Sequence, residues 1–104
     1  MSFGFPAYHL ELHPLADPAG DIAGGIAAVF RVLGWPVQRQ QDWSWSATIN
    51  AGLRSWGEVV HVSVLDGQLR IESRCRLFTQ CLDWGKNAAN VRKFVETASN
   101  RGLI

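Results

Sequence analysis

Charge is scarce in this chain, cysteine is scarcer, and no apolar run is long. Only 18% of the 104 residues are charged and the formal net charge is +1. A balance so close to neutral gives no long-range attraction to nucleic acid or to an anionic membrane, although a local patch stays open. Two cysteines, Cys75 and Cys81, are too few for a disulfide scaffold and match no zinc spacing. Their separation would close only a small loop, so two reduced, partly buried thiols are expected. The longest apolar tract, Ile22 to Leu33, is broken by Gly24, Gly25 and Arg31 and is too short to cross a bilayer. Met1 to Pro6 carries neither a basic region nor an apolar run of leader length, which sets the expectation of a soluble, cytoplasmic protein. No repeat, linker or low-complexity stretch is visible.

What is present is a globular composition. Hydrophobic residues make up 47% of the chain, so disorder is excluded in favour of one domain, residues 1–104, with a single modest core. Five tryptophans are many for this length. Most must be core, with one or two left to face a partner.

Taken in order, Phe3 to His13 reads as a strand. Tyr8, Leu10 and Leu12 alternate with His9, Glu11 and His13, which predicts the apolar set inward and the polar set in water. Asp17-Pro18 then reads as a helix start, with Asp17 as N-cap. Ile22, Ile26, Val29, Phe30 and Leu33 form one helical stripe, and Gly34 suits the left-handed position that ends it. The Gly24-Gly25 pair is costly inside a helix and predicts close packing against the sheet or the second helix. Val37 to Gln41 is expected as an edge strand. Trp43 to Ala51 alternates cleanly, with Trp43, Trp45, Ala47, Ile49 and Ala51 inward.

Glu58 to Leu65 follows, with Val60, Val62 and Val64 inward. Asp66-Gly67 then predicts a two-residue hairpin turn of type I′. That turn sets Leu65 against Gln68, Val64 against Leu69, Val62 against Ile71 and Val60 against Ser73. On the wet face Ser63 meets Arg70, His61 meets Glu72 and Val59 meets Arg74. Beyond Leu77 and Phe78 the sheet gives way to a closing helix. Asp83 suits its N-cap, and Trp84, Ala88, Val91, Val95 and Ala98 lie on one face before Asn100-Arg101-Gly102 ends it. The order β-α-β-β-β(-β)-α predicts an α+β fold, a single curved antiparallel sheet with both helices on one face. This order is similar to that of TATA-binding-protein-like domains, a likeness of architecture only.

The run Ile71-Glu72-Ser73-Arg74-Cys75, followed by Gln80-Cys81-Leu82-Asp83-Trp84-Gly85-Lys86-Asn87, resembles a family of small bacterial α+β domains of unassigned function. In these a strand leads through Gln to Asp-Trp-Gly-Lys-Asn and a helix. The resemblance covers about a quarter of the chain and implies the fold and a bacterial type of source. It brings no catalytic residues with it.

The residues offer four kinds of chemistry. The corner before the last helix gathers Arg74, Arg76, Gln80, Gly85, Lys86 and Asn87, a candidate site for a small anion or phosphorylated ligand. The carboxylate of Asp83 opposes it. The exposed sheet face offers Arg70, Arg74, Arg76, His61 and an exposed Trp56 to nucleic acid, but no aromatic is expected on the regular strands of that face, which disfavours base stacking. His9 and His13 are four apart in a strand, on the order of 13 Å, too far to share one ion. Neither cysteine has a histidine near it in sequence to act as base. No catalytic residue, metal or cofactor is therefore expected. What remains is a non-catalytic interaction domain for a protein partner or a second copy, with Val37, Arg39, Gln41 and Trp56 as the candidate surface.

Overall fold

The Asp66–Gly67 turn forms with φ of 53° and 74°, joining β4 (Glu58–Leu65) to β5 (Gln68–Cys75) in a computed structural model that describes residues 8–49, 57–75 and 86–104. Every pair expected from that turn is present, from Leu65 against Gln68 to Val60 against Ser73 and Val59 against Arg74. Asp tolerates the left-handed first position because its short polar side chain can bond locally, and Gly takes the second without a Cβ to clash.

Around this hairpin the remaining strands complete one antiparallel sheet. β1 (Tyr8–Pro14) lies beside β5, β3 (Ser44–Ile49) lies beside β4, and β2 (Arg39–Gln41) lies beyond β3. The spatial order is β1-β5-β4-β3-β2, so β1 and β2 are the two edges. The helices α1 (Ile22–Leu33) and α2 (Lys86–Asn100) share one core with the sheet. Ile26, Val29 and Phe30 of α1 meet Val91, Phe94 and Ala98 of α2 over Trp45, Ala47, Val60, Val62, Leu69 and Ile71. Phe30 and Phe94 stack edge to face with centroids 5.3 Å apart. The fold class and element order are those the sequence predicts.

Helix α1 begins later than Asp17. Asp17 instead closes a turn, accepting from the Ala19 N–H at 3.1 Å, and Asp21 is the N-cap, accepting from Gly24 at 3.0 Å. Gly20 separates the two. A Cβ on Gly24 would press on the Asp21 carboxylate as the cap now holds it, so glycine there leaves the capping side chain its place. A Cβ on Gly25 would press on Leu103, which follows α2; the close packing is against the C-terminal segment. Gly34 ends the helix at φ 72°, with Trp35 N–H reaching back to the Phe30 carbonyl at 2.9 Å.

Trp43 is not a core residue. Asp42 and Trp43, both at positive φ, form the tight turn between β2 and β3, and Trp43 is 54% exposed in a T-shaped contact with Trp45. The buried row is Trp45, Ala47 and Ile49; Ala51 lies outside the described residues. Cys75 is disulfide-bonded, not a free thiol. The sequence holds one other cysteine, Cys81, outside the described residues. The N-terminal half of the expected first strand, Leu77, Phe78, Asp83 and Trp84 also lie outside them.

The largest departure from expectation is the facing of β1. His9, Glu11 and His13 stand opposite Ser73, Ile71 and Leu69, residues wholly buried beneath the helices. Tyr8, Leu10 and Leu12 stand opposite Arg74, Glu72 and Arg70 and are 55%, 38% and 57% exposed. The strand is turned over relative to its hydrophobic alternation. Its phase is set at the far end. Leu15 is in the core, and its N–H donates to the Gly67 carbonyl at 3.0 Å. In an antiparallel ladder that orientation repeats every second residue. His13, Glu11 and His9 therefore turn their backbone groups to β5, and Pro14 lacks an N–H where none is needed, at the free edge. The polar trio satisfies itself: His9 Nε2 and His13 Nε2 each lie 2.9 Å from a different oxygen of Glu11. Hydrogen bonds from His13 and then His9 hold the Glu11 carboxyl below its usual value.

Candidate functional site

Because both helices cover one face, the other face of the sheet is open, and the ladder registers place its side chains in three rows. Tyr8, Arg74, Val59 and Thr48 form the first. Leu10, Glu72, His61, Ser46 and Arg39 form the second, and Leu12, Arg70, Ser63, Ser44 and Gln41 the third. The face is thus apolar along β1 and polar across the middle.

The polar middle is internally committed. Glu72 is only 6% exposed although it faces away from the core. Its Oε1 accepts from Arg74, at 2.9 Å from Nε and 2.7 Å from Nη2, and its Oε2 accepts from Arg70 at 3.2 Å. Ser44 Oγ is hydrogen-bonded to His61 Nε2. Burial, with Arg70 adding to it, pushes the His61 imidazole below its usual value and favours the neutral ring. A serine on a neutral histidine has the form of a nucleophile and base. Yet the Glu72 oxygens that could orient the ring are given to Arg70 and Arg74. The basin around Ser44 is broad and open to water, without the exclusion that acyl transfer exploits. No group of three or more His, Cys, Asp or Glu side chains that could hold a metal occurs among the described residues.

The two edges differ in kind. β2 has three residues, all exposed, and Gln38 covers the strand behind it, with its N–H on the Ser46 carbonyl at 2.9 Å and its Oε1 accepting from Thr48 N–H at 3.2 Å. That edge is short and blunted. β1 runs seven residues. Tyr8, Leu10 and Leu12 present their outward N–H and C=O groups there, beside exposed apolar side chains. Sequence reasoning missed this edge because it placed those three residues inside. The signal that could have found it is Leu15, an apolar residue in phase with His13 and beyond Pro14.

Among the described corner residues, Arg74 and Asn87 do not converge. Arg74 is on the open face, bound to Glu72, whereas Asn87 is fully buried under the opposite face. Ser73 Oγ donates to Asn87 Oδ1 at 2.7 Å, and Asn87 Nδ2 lies 3.5 Å from Cys75 Sγ. Asn90 Nδ2 donates to Glu58 Oε1 at 3.0 Å and Ser73 Oγ at 3.2 Å. This buried network seats the start of α2 on the sheet. Lys86 is exposed at the first residue of that helix. Arg76, Gln80 and Gly85 lie outside the described residues, as does Trp56. Of the other candidate interaction residues, Arg39 and Gln41 project onto the open face from β2, and Val37 is 37% exposed beyond the end of α1.

No protein-family model, curated protein or solved structure matches the chain. No helix among the described residues is long and apolar enough to cross a membrane.

Proposed function

We propose that this chain is a non-catalytic protein-binding domain, and that β1, with the open face beside it, is its recognition element. One observation carries the reading: Tyr8, Leu10 and Leu12 expose apolar side chains and unpaired backbone groups on the same strand. A peptide strand can answer both at once, with main-chain bonds for affinity and alternate side chains for specificity. The binding of a small anion is the weaker reading, because Arg70 and Arg74 already neutralise Glu72 and Asn87 is turned to the core. Nucleic acid is weaker still. Tyr8 does stand beside Arg74, contrary to an open face free of aromatics, but one ring is a poor platform and Glu72 would meet the phosphates. The disulfide at Cys75 favours an oxidising compartment over the cytoplasmic placement that the sequence predicts.

A photoreactive phenylalanine at position 12, introduced in cells that make the protein, tests the reading. The expected result is a discrete cross-linked species that the same residue at position 96, exposed on α2, does not give. The same pattern from both positions would overturn it.

A further inference from the structure

Resting on that reading, we infer that the partner of β1 is a second copy of this chain, paired antiparallel about a two-fold axis through Leu10, so that two five-stranded sheets become one continuous sheet.

The strand chooses its own register. A perpendicular two-fold axis between two identical antiparallel strands sets one residue against itself, so the candidates can be compared in turn. Centring on Glu11 places carboxylate against carboxylate and leaves Tyr8 facing a proline. Centring on Leu12 sets Leu10 against Pro14 at both ends, and each proline withholds a donor. Centring on Leu10 pairs with one another the three residues whose N–H and C=O groups both point outward. Leu10 meets the partner's Leu10, Tyr8 meets the partner's Leu12, and Leu12 meets the partner's Tyr8. Each such pair exchanges two N–H···O bonds, about six in all.

The same register suits both faces. On the open face it joins the exposed rows into one apolar band of Tyr8, Leu10 and Leu12 from each copy. On the helix side it sets Glu11 against the partner's His9, and His9 against the partner's Glu11. Each carboxylate already bonded to two histidines of its own strand thus gains a third. Donor–acceptor matching of Glu11 with His9, apolar contact and backbone pairing coincide in this register alone among the three. The other edge offers no equivalent, since β2 is three residues long and carries Arg39 opposite Ser46. A pairing built on one strand lies at the small end of interface sizes, so the dimer should dissociate on dilution.

Sedimentation equilibrium of the purified full chain over a wide concentration range tests the inference, with Leu10→Pro beside it. The Leu10 N–H points away from β5, so proline there removes no bond of the protomer's own ladder but removes the two at the two-fold axis. The expected result is an average mass that climbs toward twice the monomer for the wild type. Leu10→Pro should stay at the monomer mass and melt as the dilute, monomeric wild type does. Should Leu10→Pro fail to fold, mild oxidation of two cysteine variants decides. Leu10→Cys should form a disulfide-linked dimer because it faces itself, and Leu12→Cys should not. A wild type that stays monomeric throughout, or a Leu12→Cys that cross-links as well as Leu10→Cys, overturns the inference. Monomeric protein that still cross-links at position 12 to a different protein rejects the second copy and keeps the binding-domain reading. Monomeric protein with no specific cross-link rejects both.

Discussion

Replacing Leu15 and Leu12 by alanine, one at a time, tests the inverted facing of β1 with two chemically identical changes. Leu15 is 7% exposed and packs in the core, whereas Leu12 is 57% exposed on the open face. Removing a buried leucine loses its transfer free energy and leaves a cavity, together about 2–5 kcal/mol. Leu15 lies at the margin of the core, where neighbours can relax, so the lower part of that range applies, roughly 2–3 kcal/mol. In a domain of this size that lowers Tm by roughly 10–15 °C. Leu12→Ala should change stability by no more than about 0.5 kcal/mol. Urea unfolding followed by tryptophan fluorescence reports both, at a protein concentration low enough to keep the chain monomeric. Had the strand followed its alternation, Leu12 would be the costly site. A Leu12→Ala loss equal to or larger than that of Leu15→Ala would refute the assigned facing.

Three further predictions concern the polar interior and the titrating groups. Asn90→Ala removes a donor shared between Glu58 and Ser73 and should cost about 2–3 kcal/mol by urea unfolding. Acid should unfold the protein in two identifiable windows. His61 is held below its usual value, so its unfolded form binds protons first, and its share of stability falls as pH drops below the ordinary histidine range. Glu11, also held below its usual value, contributes stability that is present above about 4.5 and lost as pH falls through its folded value. His61→Gln should flatten the first window and Glu11→Gln the second in a pH series of urea melts. Thiol titration of the denatured, unreduced protein should find Cys75 unreactive, and a reactive Cys75 would remove the argument for an oxidising compartment.

Much of the fold could be read from local chemistry. Asp66-Gly67 determined the pairing of β4 with β5 down to each residue, because a two-residue turn admits one register. The stripe from Ile22 to Phe30 and the Gly34 cap followed from helical spacing and the need for positive φ. What escaped the sequence was decided elsewhere. The facing of β1 depends on Leu15 reaching the core and on Pro14 needing an edge, facts of pairing that alternation does not carry. Trp43 sits in a turn without glycine or asparagine, at φ 62°, where an alternating pattern extends one residue too far. Asn87 and Asn90 share the buried face of α2 with Val91 and Phe94, but a periodicity counted in apolar residues passes over them. The candidate surface was displaced for the same reason as the strand. Reading Leu10 and Leu12 inward hid the edge that the structure leaves open.

Amide hydrogen exchange of β1 measures most directly which backbone groups of that strand face outward. In dilute solution the N–H groups of His9, Glu11 and His13 should be protected and those of Leu10 and Leu12 should exchange fast. Raising the protein concentration should protect Leu10 and Leu12. Fast exchange at Glu11 with protection at Leu10 in dilute solution would contradict the facing. Leu10 and Leu12 left unprotected at every concentration would contradict the paired edge.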